Sequence, residues 1–285
     1  MIAPFARYAI HHRQVDPLVF VAIWLTGAGL SAGCLGGLTD RPSVYRTVHH
    51  WRYLLLIGTV HLGSAITAFV GIKYVSAPTF AFLQSLAGPT AFLLGILFLN
   101  ERAGRCRLLG VATAMLGTAA FLNPFDALNA NALGVGLVMV SMVLIATMDL
   151  LVKCRPAAVA TWSIVGARAG LPGLLLMLLV LSTDSAAMPD ARLTWIILAG
   201  SFLGPFLGWF WFISGLRYLP LTVAPLIRSL APALSAVYAA IFIDEHIGIW
   251  QVPGAALIVI GVALVSLNPN RSNRPVSSIA DSDSQ

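Results

Sequence analysis

Two arginines stand inside runs of otherwise apolar residues: Arg168 in SIVGARAGLPG and Arg228 in APLIRSLAP. A guanidinium at bilayer depth costs about 2.5–3.5 kcal/mol on insertion scales, so such residues mark pathways, ligand contacts or buried pairs. With few acids nearby, two cations suit a substrate bearing a carboxylate or phosphate and disfavour a bulky lipophilic cation. Each arginine could instead snorkel to the interface, or pair with a helix-end carbonyl or with Asp149 in IATMDLLVKC. Asp149 is also the candidate for a carboxylate that titrates, although its place near a helix end suits a plain interfacial residue. His61 in IGTVHLGSA could titrate near neutrality or serve as hydrogen-bonded packing. Trp209 and Trp211 in GWFWF sit two residues apart and point to different faces, so at most one of them lines a shared cavity.

The elements that must position these residues follow from composition. Of 285 residues, 58% are hydrophobic and 10% charged, and the mean hydropathy is +0.87. A water-soluble domain carries about a quarter charged residues. Runs of about 20 apolar residues cross a bilayer as helices, and none shows the alternation of a β-barrel strand. The chain therefore reads as an all-α polytopic membrane protein. Nine segments are expected, at 18–38, 52–72, 77–99, 106–123, 133–152, 159–181, 193–215, 221–243 and 250–268. Counted from those helix starts at 1.5 Å per residue, Arg168 and Arg228 lie about 14 and 10 Å in. Prolines 89, 172, 205, 225 and 232 fall inside spans, where they free backbone carbonyls and are tolerated beside a cavity or a neighbouring helix. Residues 1–17 form an N-terminal segment. The run after Arg7 and Arg13 is too long for a signal peptide and reads as a retained span. Residues 269–285 form a polar tail that reads as disordered.

An offset of 144 positions brings the chain onto itself without gaps. Trp51 meets Trp195, Tyr74 meets Tyr218, Ser85-Leu86-Ala87 meets Ser229-Leu230-Ala231, and Glu101 meets Glu245. Gly71, Gly104, Gly110 and Gly117 meet Gly215, Gly248, Gly254 and Gly261. Segment 133–152 has no counterpart in the first copy, so the unit has five helices. An odd count turns the second copy upside down, giving an inverted repeat, with copies at 18–123 and 133–268. Gln84 takes the place of Arg228 in the first copy, near the opposite face, as a polar contact to substrate or an interhelical hydrogen bond.

Charge sets the orientation. Threading nine spans with the C-terminus in the cytoplasm puts eleven basic residues there: Arg41, Arg46, Arg52, Arg102, Arg105, Arg107, Lys153, Arg155, Arg217, Arg271 and Arg274. Only Arg7, Arg13, Lys73 and Arg192 lie opposite. In FLNERAGRCRLLG the arginines hold a cytoplasmic turn. Asn100 and Glu101 start that turn and favour the next helix, while Gly104 lets the chain reverse. Its echo FIDEHIGIWQVPG keeps Glu245 and the glycines and has no Arg or Lys, as a turn on the other face should. Glu101 and Glu245 therefore read as structural turn residues.

Other chemistry finds no support. The net charge of +6 belongs to cytoplasmic loops rather than nucleic-acid binding. Cys34, Cys106 and Cys154 have no ligand or disulfide spacing. GLSAG at 29–33 matches a nucleophile pattern but lies within a membrane helix. No metal or cofactor motif occurs, so the expected cofactor set is none.

The stretch LRYLPLTVAPLIRSLAPALSAVYAAIFIDEHIGIWQVPGAALIVIGVALVSL resembles the EamA-type half of the drug/metabolite transporter superfamily. So does IKYVSAPTFAFLQSLAGPTAFLLGILFLNERAGRCRLLGVATAMLGTAAFL in the first copy. The shared features are a basic-Tyr pair, a mid-helix Pro, an apolar run into Glu and later glycines. The resemblance implies ten helices in two inverted five-helix halves, a central cavity and alternating access. This chain departs by lacking the expected first helix: either it has nine spans or its start has lost one. The resemblance is specific to no substrate; taken with the two arginines, the expected function is an inner-membrane exporter or exchanger of amino acids, organic acids or related anionic or zwitterionic solutes. The partners are then a small-molecule substrate, the lipid bilayer, and a proton or exchanged solute; a homodimer stays open. A membrane-embedded enzyme would need clustered acids, His or Cys, and a non-transporting assembly subunit would leave the intramembrane arginines unexplained.

Overall fold

The computed structural model describes residues 15–39, 49–75, 77–101, 104–122, 131–155, 159–182, 188–227, 230, 234 and 251–266. Arg228, Glu245, most of segment 221–243 and the tail lie outside the described residues. The described elements are helical: α1 (Pro17–Thr39), α2 (Trp51–Gly71), α3 (Ala77–Ser85), α4 (Ala87–Leu99), α5 (Arg105–Leu122) and α6 (Ala132–Lys153). They continue with α7 (Thr161–Ser182), α8 (Ala191–Ser201), a π-helical turn (Phe202–Phe206), α9 (Leu207–Gly215), α10 (Ala224–Ile227) and α11 (Gln251–Ser266). Among the described residues, six helical stretches are long and apolar enough to cross a membrane and a seventh, Gln251–Ser266, is shorter. The outer surface is apolar, as a lipid-facing surface must be: Leu97, Leu116 and Trp195 are exposed by 71, 67 and 71%.

Two expected segments are broken where proline removes a backbone donor. Pro89 cannot give an N–H to the Ser85 carbonyl, and segment 77–99 divides at Leu86 into α3 and α4. Pro205 cannot serve the Ser201 carbonyl, and segment 193–215 widens into a π turn between α8 and α9.

The inverted repeat is visible in how equivalent helices meet. α1 and α7 are copies under the 144 offset, and they pack against each other along their length. A Cβ on Gly29 would lie 2.6 Å from the Gly170 Cα, and one on Gly173 would lie 2.5 Å from the Thr26 nitrogen. Adding 144 to Gly29 and Thr26 gives Gly173 and Gly170, so the two contacts are one contact seen twice. α5 and α11 behave the same way. A Cβ on Gly110 would come within 2.7 Å of the Gly261 carbonyl oxygen, and one on Gly117 within 2.8 Å of the Gly254 oxygen. In both pairs, advancing along one helix retreats along the other. Copies related in this way must run antiparallel, which is the inverted topology expected of five-helix units. Small residues at the crossings allow the backbones to approach this closely.

Candidate functional site

Arg168 sits on α7, seven residues past Thr161 and so about 10 Å from the helix start, shallower than the sequence placed it because the helix starts later. It is 4% exposed. Its guanidinium carbon lies 4.2 Å from the centre of the Trp209 ring on α9. A cation over an indole face is stabilised by about 2 kcal/mol or more when water is excluded. His61, on α2, stands edge-on to the same indole, with ring centres 5.1 Å apart and planes at 89°. Three helices from both copies thus converge on one buried cation. Trp209 is the tryptophan of GWFWF that reaches it. Trp211, two residues on, projects to another face, 69% exposed and edge-on to Phe210, so it is not part of this cluster.

The reason His61 lies here is written in α7. The Arg168 carbonyl would normally accept the N–H four residues on, but that residue is Pro172, which has none. His61 Nδ1 approaches the Arg168 carbonyl at 2.5 Å. A carbonyl oxygen only accepts, so Nδ1 carries the proton and donates it.

A second polar group continues from His61 along α2. Ser64 is one helical turn on, and it faces Ser141 of α6 with the two hydroxyl oxygens 3.1 Å apart. The Ser141 hydroxyl donates to the Ser64 carbonyl at 2.9 Å. Gln84 Nε2, at the end of α3, donates to the Ser141 oxygen at 3.0 Å. Gln84 is therefore engaged between helices, and the structure joins it to the serines rather than to Arg168. The two serines were not singled out in the sequence, where an isolated Ser in an apolar helix carries no pattern. Asp149 is buried at 1% exposure, one turn before the end of α6.

At the basic end of the bundle the structure changes the reading of FLNERAGRCRLLG. The left-handed residue is Asn100, at φ 51°, and no described glycine has positive φ. Asn, not Gly104, makes this reversal, being the non-glycine residue that best tolerates that region. The turn folds Glu101 inward to 7% exposure. Among the described residues, its carboxylate reaches across to the other copy. It accepts the N–H groups of Leu221 and Thr222, at 2.8 and 2.9 Å, in the turn of the other copy that precedes α10. Lys153 Nζ donates to the carbonyls of Leu216 and Leu219 at 2.9 and 2.8 Å, just past α9. Arg107 Nη1 reaches the Thr222 hydroxyl at 3.4 Å. Three charged side chains thereby fasten residues 216–222 to the rest of the bundle.

The model of the EamA-like transporter family covers residues 1–123 and 132–267. The chain belongs to the EamA-like transporter family. The two matched stretches fall on the two copies of the repeat. The chain is also similar to an uncharacterized transporter of Haemophilus influenzae, 22% identical over 229 residues that span 77% of this chain and 75% of that protein. A solved crystal structure superposes with a TM-score of 0.79, covering 92% of each chain at 16% identity, and so shares the fold. This EamA-like protein is a multi-pass membrane transporter.

Proposed function

We propose that this EamA-like protein moves small anionic or zwitterionic metabolites, such as amino acids or organic acids, across the inner membrane. Transport is export or exchange, with the basic end and the C-terminus in the cytoplasm. The observation that carries this reading is Arg168, buried in an apolar span and held over Trp209 between the two copies. A solute carboxylate leaving water for this position trades hydration for charge-assisted hydrogen bonds from a planar fork. Rocking of the inverted halves then exposes that position to one face and the other in turn. Arg228, outside the described residues, is the second cation of the site, and Asp149 is the carboxylate that exchanges a proton when transport is coupled.

The test is counterflow in proteoliposomes with labelled glutamate, succinate, alanine and a lipophilic cation, comparing the natural chain with Arg168→Ala. Uptake of one or more anionic or zwitterionic solutes that Arg168→Ala abolishes is the expected result. Transport of the lipophilic cation alone, or full activity in the variant, overturns the reading.

A further inference from the structure

We propose that His61 is a positioning residue for Arg168, replacing the backbone donor that Pro172 takes away. This rests on the reading of Arg168 as the anion contact and goes beyond it by assigning the residue that fixes its place. Pro172 leaves the Arg168 carbonyl without its helical N–H, and a carbonyl at that depth needs a donor from the protein. Within the described residues, His61 Nδ1 supplies one from a different helix. The same imidazole closes the edge of the Trp209 ring whose face carries the guanidinium. Backbone and side chain of Arg168 are thus held from two sides by one residue on α2 and the indole it abuts. The proline serves a purpose in this arrangement: it opens a carbonyl to a donor from a neighbouring helix, which ties the pitch of α7 at Arg168 to α2.

His61 then acts through a fixed N–H rather than through taking up and releasing a proton. Asn places its amide N–H close to where imidazole Nδ1 stands and does not titrate, whereas Leu has the bulk and no donor. Ala at 172 restores a backbone N–H to the Arg168 carbonyl and makes the imidazole dispensable.

The experiment uses the full chain with His61→Asn, His61→Leu, Pro172→Ala and the double variant His61→Leu/Pro172→Ala. Thermal unfolding of purified protein in detergent reads the bond without any substrate. Exchange of labelled glutamate and succinate in proteoliposomes reads KM and maximal rate. His61→Leu is expected to lower the unfolding midpoint and raise KM at least tenfold, with the maximal rate within threefold. His61→Asn should stay within threefold in KM with an unshifted pH profile, and Pro172→Ala should restore both readouts in the His61→Leu background. A His61→Asn variant as impaired as His61→Leu, a flattened pH profile in His61→Asn, or no restoration by Pro172→Ala overturns the proposal. Coupled unfolding effects at 61 and 172 together with a fully active Arg168→Ala would show that the bond exists but positions nothing for transport. That outcome overturns both readings, whereas an inactive Arg168→Ala with no restoration overturns only this one.

Discussion

The surroundings of Arg168 and of Trp24 are the same place in the two copies, since 24 plus 144 is 168. Arg168 lies against His61 of α2; Trp24 lies against the π turn that replaces that stretch of α2 in the second copy, where a Cβ on Gly204 would meet the indole at 2.9 Å. His61 itself has Pro205 as its counterpart. One locus holds a cation, an imidazole and an opened carbonyl. The other holds a 4%-exposed tryptophan stacked on Phe20, with ring centres 5.3 Å apart. A duplicated frame has therefore been kept while its chemistry has been made one-sided. Under the proposed function Arg168 brings a charge to this locus, and its counterpart Trp24 brings none.

The most decisive way to break this contrast is to exchange the roles. Arg168→Ala should cut transport efficiency about 100-fold, the value of a charge-assisted bond of up to about 3 kcal/mol, while the folded fraction changes little. Arg168→Lys should recover part of that loss, because it keeps the charge but loses the fork and the stacking on Trp209. Trp24→Ala should do the reverse. It should destabilise the protein by about 3–5 kcal/mol, as for a large buried aromatic, and leave the KM of the surviving folded protein within threefold. Rates and KM in proteoliposomes, together with unfolding midpoints in detergent, separate the two. An equal KM effect from Trp24→Ala would show that the site uses both loci.

A smaller effect is expected at Glu101, where the copies also differ. The position equivalent to Thr222 is Pro78, which has no N–H to offer, so the equivalent pair of N–H donors is incomplete in the other copy. Glu101→Ala leaves two buried donors without their acceptor and should cost about 2–4 kcal/mol. Glu101→Gln keeps one acceptor oxygen and should cost about half of that. Identical midpoints for the two variants would show that only one of the two bonds matters.

Much of the frame was legible from residue types alone. Helix positions follow from hydropathy, and the inversion follows from a gapless repeat with an odd helix count. Arg168 stood out because a lone cation in an apolar span is conspicuous. What hid were features that depend on a partner far away in the chain. Glu101 resembled its own turn's punctuation, because nothing local points to Leu221 and Thr222. Ser64 and Ser141 are ordinary in isolation and meaningful only when α2 lies against α6. Which tryptophan of GWFWF faces inward depended on the π turn, which shifts the helix phase just before it. Prolines announced that carbonyls would be freed, but not that His61 would fill one while Pro205 would open the helix.

Where the copies agree, the expected effects are smallest and should match. Gly117 and Gly261 are equivalent, and each opposes the partner helix at the crossing of α5 and α11. A Cβ on Gly117 would sit 2.6 Å from the Ile258 nitrogen, and one on Gly261 would sit 2.5 Å from the Ala114 nitrogen. Those obstacles are backbone atoms, which cannot swing aside, so each Gly→Ala change should cost about 1–3 kcal/mol by overpacking. The two costs should be equal within about 0.5 kcal/mol. Both substitutions push the same two helices apart, so the second meets a crossing already opened and the double variant should cost less than the sum. Unfolding midpoints of the three variants decide it. Unequal single effects would mean that the two-fold relation stops at the backbone trace and that the copies have diverged in their packing as well as in the chemistry around Arg168.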